Sequence, residues 1–213
     1  YAHGRLRFRP AGGGKFHTIL SIGLEQYLRG LAEVPSSWPS AALEAQAIIG
    51  RGYAIATALA RGGSDGSGRL SSCGCHIRDD ARDQVYAGWS KEGEPTYGSR
   101  WVAAVQRTGD RGGHQVVTHP DAPNRGIISA YYSSSNGGVS ENVEDVWGGQ
   151  ALPWLRSVED PWSANPNINP LARWSVFLDG EVLRSQLCKS GSCWAAVTGG
   201  EVVKKPPAGR IRL

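Results

Sequence analysis

The stretch Glu25–Tyr53, EQYLRGLAEVPSSWPSAALEAQAIIGRGY, decides how the rest of the chain is read. Leu24, Tyr27, Leu28 and Leu31 recur at the i, i+3, i+4, i+7 spacing of one helix face. Pro35 cannot continue that helix, so the spacing predicts a turn near Glu33. A second helical pattern opens at Trp38-Pro39, where proline suits a first turn and Ser37 or Ser40 can cap. It runs to the stop at Gly62-Gly63, with Leu43, Ala47, Ile48, Ala54, Ile55 and Leu59 making it apolar nearly all round. Such a helix is expected to be buried and central.

Outward from it, residues 4–9 and 15–22 read as two strands joined at Gly12-Gly13-Gly14. Downstream, Ser99–Thr108 reads as a short amphipathic helix, and 114–118 and 126–132 as strands. From Trp174 the pattern is a strand, a helix near Glu181–Leu187 and short strands. The chain of 213 residues can bury a real core. It carries a net charge of +4 with no Lys/Arg cluster, which argues against nucleic acid. No apolar run is long enough for a membrane span. Without Met or a signal-like segment at its start, the sequence is expected to be a mature or trimmed chain.

Gly62-Gly63-Ser64-Asp65-Gly66 is formally G-x-S-x-G. A nucleophile elbow needs a strand before it and a helix after it, and here a helix precedes and a polar loop follows. The motif is therefore rejected.

The quoted stretch resembles the signature of the SpoIID/LytB family of bacterial cell-wall proteins. Glu25, Tyr27, Leu28, Gly30, Glu33, Pro35, Trp38, Pro39, Ala42, Leu43, Ala45, Gln46, Ala47, Arg51, Tyr53 and Ala54 match that pattern. Val34, Gly50 and Gly52 depart from it. Asp83-Gln84-Val85-Tyr86 with Gly88 resembles a second family segment, and Tyr131–Gly149 a third, with Asn136 as an extra residue. The run from Pro153 to Trp162 resembles a fourth. The resemblance covers roughly residues 15–165 of what reads as one domain, 1–213.

The resemblance implies an α+β fold: a central buried helix packed by antiparallel strands, with two lobes flanking a substrate groove. It implies a lytic transglycosylase that cleaves peptidoglycan glycan strands, needs no cofactor, and acts outside the cytoplasm, secreted or at the cell surface. Peptide-denuded strands are the implied partner. Two rivals stand beside it: a non-catalytic glycan-binding module that activates a cell-wall amidase, and a structural carbohydrate-binding domain.

In the family the residue matching Glu33 is the proposed catalytic carboxylate. Locally, Glu33 is expected just after a helix C-terminus, which disfavours negative charge. Leu31, Val34, Pro35 and Trp38 add apolar surroundings that disfavour the ionised form. A proton donor is what a general acid must be. The bland alternative is a solvated loop glutamate.

Gln46, Arg51 and Tyr53 are polar groups on an otherwise apolar helix, either satisfied in the core or lining a sugar cleft. Gln84 and Tyr86 join them as candidate substrate contacts through the second family segment. In the third, Tyr132, Ser134, Ser135, Gly137, Gly138 and Glu141 offer hydroxyls, backbone donors and a carboxylate suited to N-acetyl and hydroxyl groups. Glu141 and Asp145 are alternatively structural, capping a turn or pairing with Arg51. Of the eight tryptophans, some are candidates for stacking on sugars; Trp38 and Trp147 fit the core equally well.

Cys73, Cys75, Cys188 and Cys193 form two local pairs, for which an extracellular setting predicts disulfides, either local or crossed. Some family members bind zinc through His-Cys just before the Q-V-Y segment. Here Arg82 and Asp83 stand in those places, so no metal site is expected.

Overall fold

The glycine turn at the start of the chain closes an antiparallel hairpin of β1 (Arg5–Gly12) and β2 (Lys15–Ser21). A computed structural model describes residues 3–62, 68–175, 177 and 179–188 of the protein. In β1, Arg5, Arg7 and Arg9 alternate with Leu6, Phe8 and Pro10, so the pleat sends cations to one face and apolar groups to the other. Leu6 pairs with Leu20 and Pro10 with Phe16, and the Phe8 and Phe16 rings meet edge to face at 5.4 Å. Only Ile19 of the hairpin is buried.

The core is helical. Helix α1 spans Leu24–Arg29, α2 Ser40–Gly62, α3 Trp89–Glu92 and α4 Gly98–Thr108. Leu43, Gln46, Ala47, Gly50, Arg51 and Ala54 form the buried stripe of α2, at helical spacing. Trp101, Ala104, Val105 and Thr108 form that of α4. These stripes meet, and Leu28 and Leu31 complete a cluster against which Tyr27 and Val34 pack. The indole N–H of Trp101 donates to the carbonyls of Leu28 (2.9 Å) and Arg29 (3.1 Å) in the last turn of α1.

The chain is thus mixed helix and strand, as expected, but α2 is packed by α4 and α1 rather than by antiparallel strands. The hairpin spends its apolar face on solvent, so the helices must cover one another. Among the described residues β1–β2 is the only sheet. The strands expected over 114–118 and 126–132 reduce to isolated bridges, Thr118 with Ile127 and Asn124 with Ile127. No helix of the described residues is long and apolar enough to cross a membrane.

The first helix also ends sooner than its apolar spacing suggests. Gly30 closes α1, and Leu31 already forms an antiparallel bridge with Tyr86. The Tyr86 ring fills the space beside Gly30: a Cβ there would sit 2.4 Å from Tyr86 Cε2 and 2.8 Å from Gly88 Cα. Gly30→Ala must push this segment away, and is expected to cost about 1–3 kcal/mol in urea denaturation.

By internal packing the chain forms two units, Tyr1–Tyr131 and from Tyr132 onward. The second carries α5 (Val143–Trp147), α6 (Pro161–Ala164) and α7 (Gly180–Leu187). Helix α7 is capped by Asp179, whose carboxylate accepts from the amides of Glu181 and Val182. Most of the rejected G-x-S-x-G motif, Cys193 and the tail strands lie outside the described residues.

Candidate active site

Directly after α1 the backbone pairs with the 84–88 segment and, four residues past Arg29, presents Glu33. Gly30 O accepts from the amides of Ala87 (2.9 Å) and Gly88 (3.1 Å), and Ala32 N–H donates to Val85 O (2.9 Å). The amide of Val85 then donates to Glu33 Oε1 at 2.6 Å. A side-chain oxygen here takes the place of a backbone acceptor in the ladder. Glu33 Oε2 has no hydrogen bond to the described residues, and the side chain is half-buried.

Helix α1 ends at Arg29 with Gly30 as its C-cap, so Glu33 stands beyond the helix terminus rather than directly on it. Trp38 is 42 % exposed, and Trp147 too lies outside the core. What holds the loop is a set of cations. Lys91, buried against the Trp101 ring, donates to Val34 O, and burial pushes its ammonium below the ordinary lysine value. Arg100 donates to the carbonyls of Ser37 (3.2 Å) and Trp38 (2.8 Å). Neither cation carries a sequence signal of this role, since each becomes a loop clamp only through the packing of α3 and α4.

The 84–86 segment also carries polar and aromatic contacts to α1 and α2. Gln84, wholly buried, accepts from Tyr27 Oη (3.1 Å) and donates to Gly50 O (3.3 Å). Gly50 leaves room for it: a Cβ there would stand 3.5 Å from Gln84 Nε2 and 3.3 Å from Leu31. One turn back on α2, Gln46 is 8 % exposed and its Nε2 lacks a hydrogen-bond partner. The Tyr86 ring stacks on Tyr27 at 5.3 Å. Tyr53 is half-buried beside Asp83 and meets Tyr131 edge to face; burial first, then the Asp83 charge, raise its phenol above the ordinary value.

Arg51 is 0 % exposed, so a sugar cannot reach it, contrary to its place among the candidate contacts. Its guanidinium grips Glu25 through two bonds, 2.7 and 2.8 Å, and donates to Gln115 O (2.9 Å). Glu25, not Glu141 or Asp145, is its partner. Gln84 is likewise shut in, and acts by positioning. Asp83 is bound by Arg61 (2.6 and 2.9 Å) and by the Arg78 amide (2.8 Å). Cys73 and Cys75 are joined by a disulfide, and Gly74 between them accepts from Arg7 of the hairpin.

These ion pairs set an acid limit. Burial alone would raise the Glu25 and Asp83 carboxyls, but Arg51 and His114 in one case and Arg61 and Arg78 in the other outweigh it and lower both. A depressed folded value stabilises the fold fully above the ordinary values of 4.5 and 3.8, and the contribution is lost as pH falls through the lower folded values. The urea midpoint is therefore expected to be level with respect to these groups above about pH 5 and to drop below about pH 4. A midpoint unchanged down to pH 2.5 would contradict it.

The remaining candidates belong to the second unit. Ser135 Oγ lies 2.7 Å from Ser163 Oγ and accepts from Asn169 Nδ2 at 3.1 Å. The amides of Asn136 and Gly137 also point at Ser163 Oγ, and Gly138 N–H donates to Asn136 Oδ1. Gly138 has φ +110, with Ala164 Cβ 2.8 Å from where its Cβ would be, so only glycine fits. Ser134 and Gly137 are exposed, while Tyr132 and Glu141 are half-buried. Asp145 accepts from Asn142, and Glu144 is clamped by Arg156, whose hydrogen bond lowers its carboxyl. Glu33, Gln46, Tyr53, Gln84 and Tyr86 are thus built into one unit and the serine-glycine loop into the other.

The model of the SpoIID family, described as stage II sporulation protein, matches residues 12–118, half of the chain, and the chain belongs to that family. It is 30 % identical over 169 residues to the amidase enhancer of Bacillus subtilis (strain 168), covering 78 % of this chain and 19 % of that protein. It is 30 % identical over 153 residues to stage II sporulation protein D of Bacillus amyloliquefaciens, covering 68 % and 41 %. An uncharacterized protein of Brachyspira hyodysenteriae is 26 % identical over 188 residues, covering 82 % and 45 %. The chain spans less than half the length of each of these relatives.

Proposed function

We propose that this chain acts on the bacterial cell wall, outside the cytoplasm, as a peptidoglycan lytic transglycosylase with Glu33 as its single general acid and base. The observation that carries the reading is the Val85 amide on Glu33 Oε1. With Oε1 engaged as acceptor, a proton on the carboxyl resides on Oε2, the oxygen left open. That oxygen delivers the proton to the glycosidic oxygen as its bond to C1 of N-acetylmuramic acid breaks. The same oxygen, now a carboxylate, takes the proton of the C6 hydroxyl as O6 bonds to C1. The product carries a 1,6-anhydro ring; no water enters and Glu33 ends as it began.

One carboxylate suffices because the substrate brings its own nucleophile. Ordinary glycosidases need a second carboxylate to supply or activate one. An oriented intramolecular hydroxyl replaces a bimolecular attack, worth up to about 7–11 kcal/mol in favourable systems. In this reading Gln46, Tyr53 and Tyr86 contact the strand, and Gln84 and Lys91 hold the frame; Tyr132, Ser134, Ser135, Gly137, Gly138 and Glu141 are the second unit's own candidate glycan contacts.

The relative named amidase enhancer favours a second reading: a glycan-binding module that activates an amidase. Incubating the chain with peptide-stripped glycan strands, and separately with intact sacculi plus a cell-wall amidase, separates the two. New 1,6-anhydro ends in the first reaction support the transglycosylase. Faster peptide release in the second, with no new glycan ends in either, supports the activator.

A further inference from the structure

The formal charge of the chain is concentrated in one place. Of 23 Lys and Arg against 19 Asp and Glu, four cations and no carboxylate fall within residues 1–24. The remaining 19 cations balance the 19 carboxylates, so the net charge of +4 is that of the hairpin segment. Its carriers are Arg5, Arg7, Arg9 and Lys15. They form no basic run in the sequence, but a strand brings alternate residues to one face, and β1 makes a stripe of the three arginines.

The other face of the ribbon is apolar and lies in water. Leu6 and Phe8 are 62 % exposed and Phe16 61 %, with the two phenylalanine rings in contact. Ile19, the buried residue of the hairpin, pairs with Arg7 and so belongs to the cationic face. Arg7 donates to Gly74 O at 3.3 Å, and Arg9 lies against Gly74. The cationic face is thus the one seated on the 70–75 turn, and the Phe8–Phe16 end of the opposite face is left to solvent. Beyond the rings the ribbon closes at Gly12-Gly13-Gly14, where an added Cβ would meet nothing within 4 Å. Arg5 and Lys15 make no hydrogen bond or ion pair with the described residues.

We infer that this hairpin docks the protein on an anionic lipid surface, with Phe8 and Phe16 entering the interface and the four cations drawn to headgroup phosphates. Interfacial binding adds apolar burial to attraction for anionic lipid, and so uses both faces. A ribbon is about 10 Å thick, which keeps the far-face cations about one Debye length from the plane the rings enter. Their long side chains extend toward that plane as well. A second copy of the ribbon would set like charge against like. A soluble polyanion would take the cations and leave the rings in water. The inference goes beyond the proposed reaction and does not depend on Glu33.

Cosedimentation of the full chain with vesicles tests it, using phosphatidylcholine alone or mixed with an equal part of phosphatidylglycerol. Binding is expected to the mixed vesicles only, and to weaken as salt rises. Arg5→Gln with Lys15→Gln, at positions with no partner to lose, is expected to weaken it about tenfold. Phe8→Thr with Phe16→Thr, which keeps strand propensity, is expected to weaken it by at least about tenfold. An unchanged urea midpoint shows that each variant folds, and the charge pair decides alone should the phenylalanine pair fail to. No binding of the parent to mixed vesicles, or full binding by either double variant, would overturn the inference. Binding that soluble poly(glycerol phosphate) abolishes and the phenylalanine pair leaves intact would make the partner a polyanion instead of a lipid surface.

Discussion

Glu33→Gln is expected to lower glycan cleavage by at least about 10²–10⁴-fold while oligosaccharide binding persists. The glutamine carbonyl can accept the Val85 amide bond as Oε1 does now, so the loop geometry should survive. What the amide cannot do is hand over a proton from the open position or receive one there. Because one residue performs both transfers, its loss removes both steps. Glu44→Gln is a suitable control: Glu44 lies on α2, pairs with Arg107 at the surface, and its change should leave turnover at the parental level. Comparable turnover by the Glu33→Gln chain and its parent would remove the catalytic assignment and leave the activator in front.

Arg51→Met is expected to cost about 3–5 kcal/mol of stability. The change strands Glu25, whose side chain is 13 % exposed, against His114 and the end of α4, and leaves Gln115 O without its donor. Equilibrium urea denaturation measures it. Replacing the pair by apolar residues, Arg51→Met with Glu25→Leu, should recover part of the loss, because it removes the stranded charge as well as the bond. A single Arg51→Met chain as stable as its parent would show that the buried pair contributes nothing net.

The two predictions separate residues that the sequence places side by side. Glu25, Glu33 and Arg51 all sit in one motif, and their matches to the family pattern carry equal weight on the page. Spacing alone does not say that Arg51 turns inward to Glu25 while Glu33 faces out, because that depends on which stripe of α2 meets α4. The helices themselves were legible: α2, α4 and α7 follow from apolar spacing and from stops at glycine, and the hairpin from alternation about its glycine turn. The end of α1 was not. Leu31 keeps the helical spacing, yet Gly30 under Tyr86 and the ladder to Val85 draw it into an extended segment. That is a contact across more than fifty residues, with no trace in local periodicity.

The strands expected after α4 failed for a related reason. Residues 114–118 and 126–132 have the right apolar content, but Pro120 and Pro123 lie between them, and only isolated bridges form, from Ile127 to Thr118 and to Asn124. In the second unit the serine-glycine loop was recognisable as a loop. That Ser135 is tied to Ser163 and Asn169 was invisible, since Ser163 owes its position to the Asp160 cap of α6. Lys91 and Arg100 were missed because a lysine and an arginine on short helices are ordinarily surface residues.

The central claim is that Glu33 drives an intramolecular closure without water, and cleavage in ¹⁸O-labelled water tests it most directly. Peptide-stripped glycan strands are digested in that solvent and the new chain ends are weighed by mass spectrometry. The account predicts ends that are anhydro, lighter by one water than a hydrolytic end and free of label, and that disappear in the Glu33→Gln chain. Reducing ends carrying ¹⁸O, or unlabelled anhydro ends formed as fast by Glu33→Gln, would contradict it.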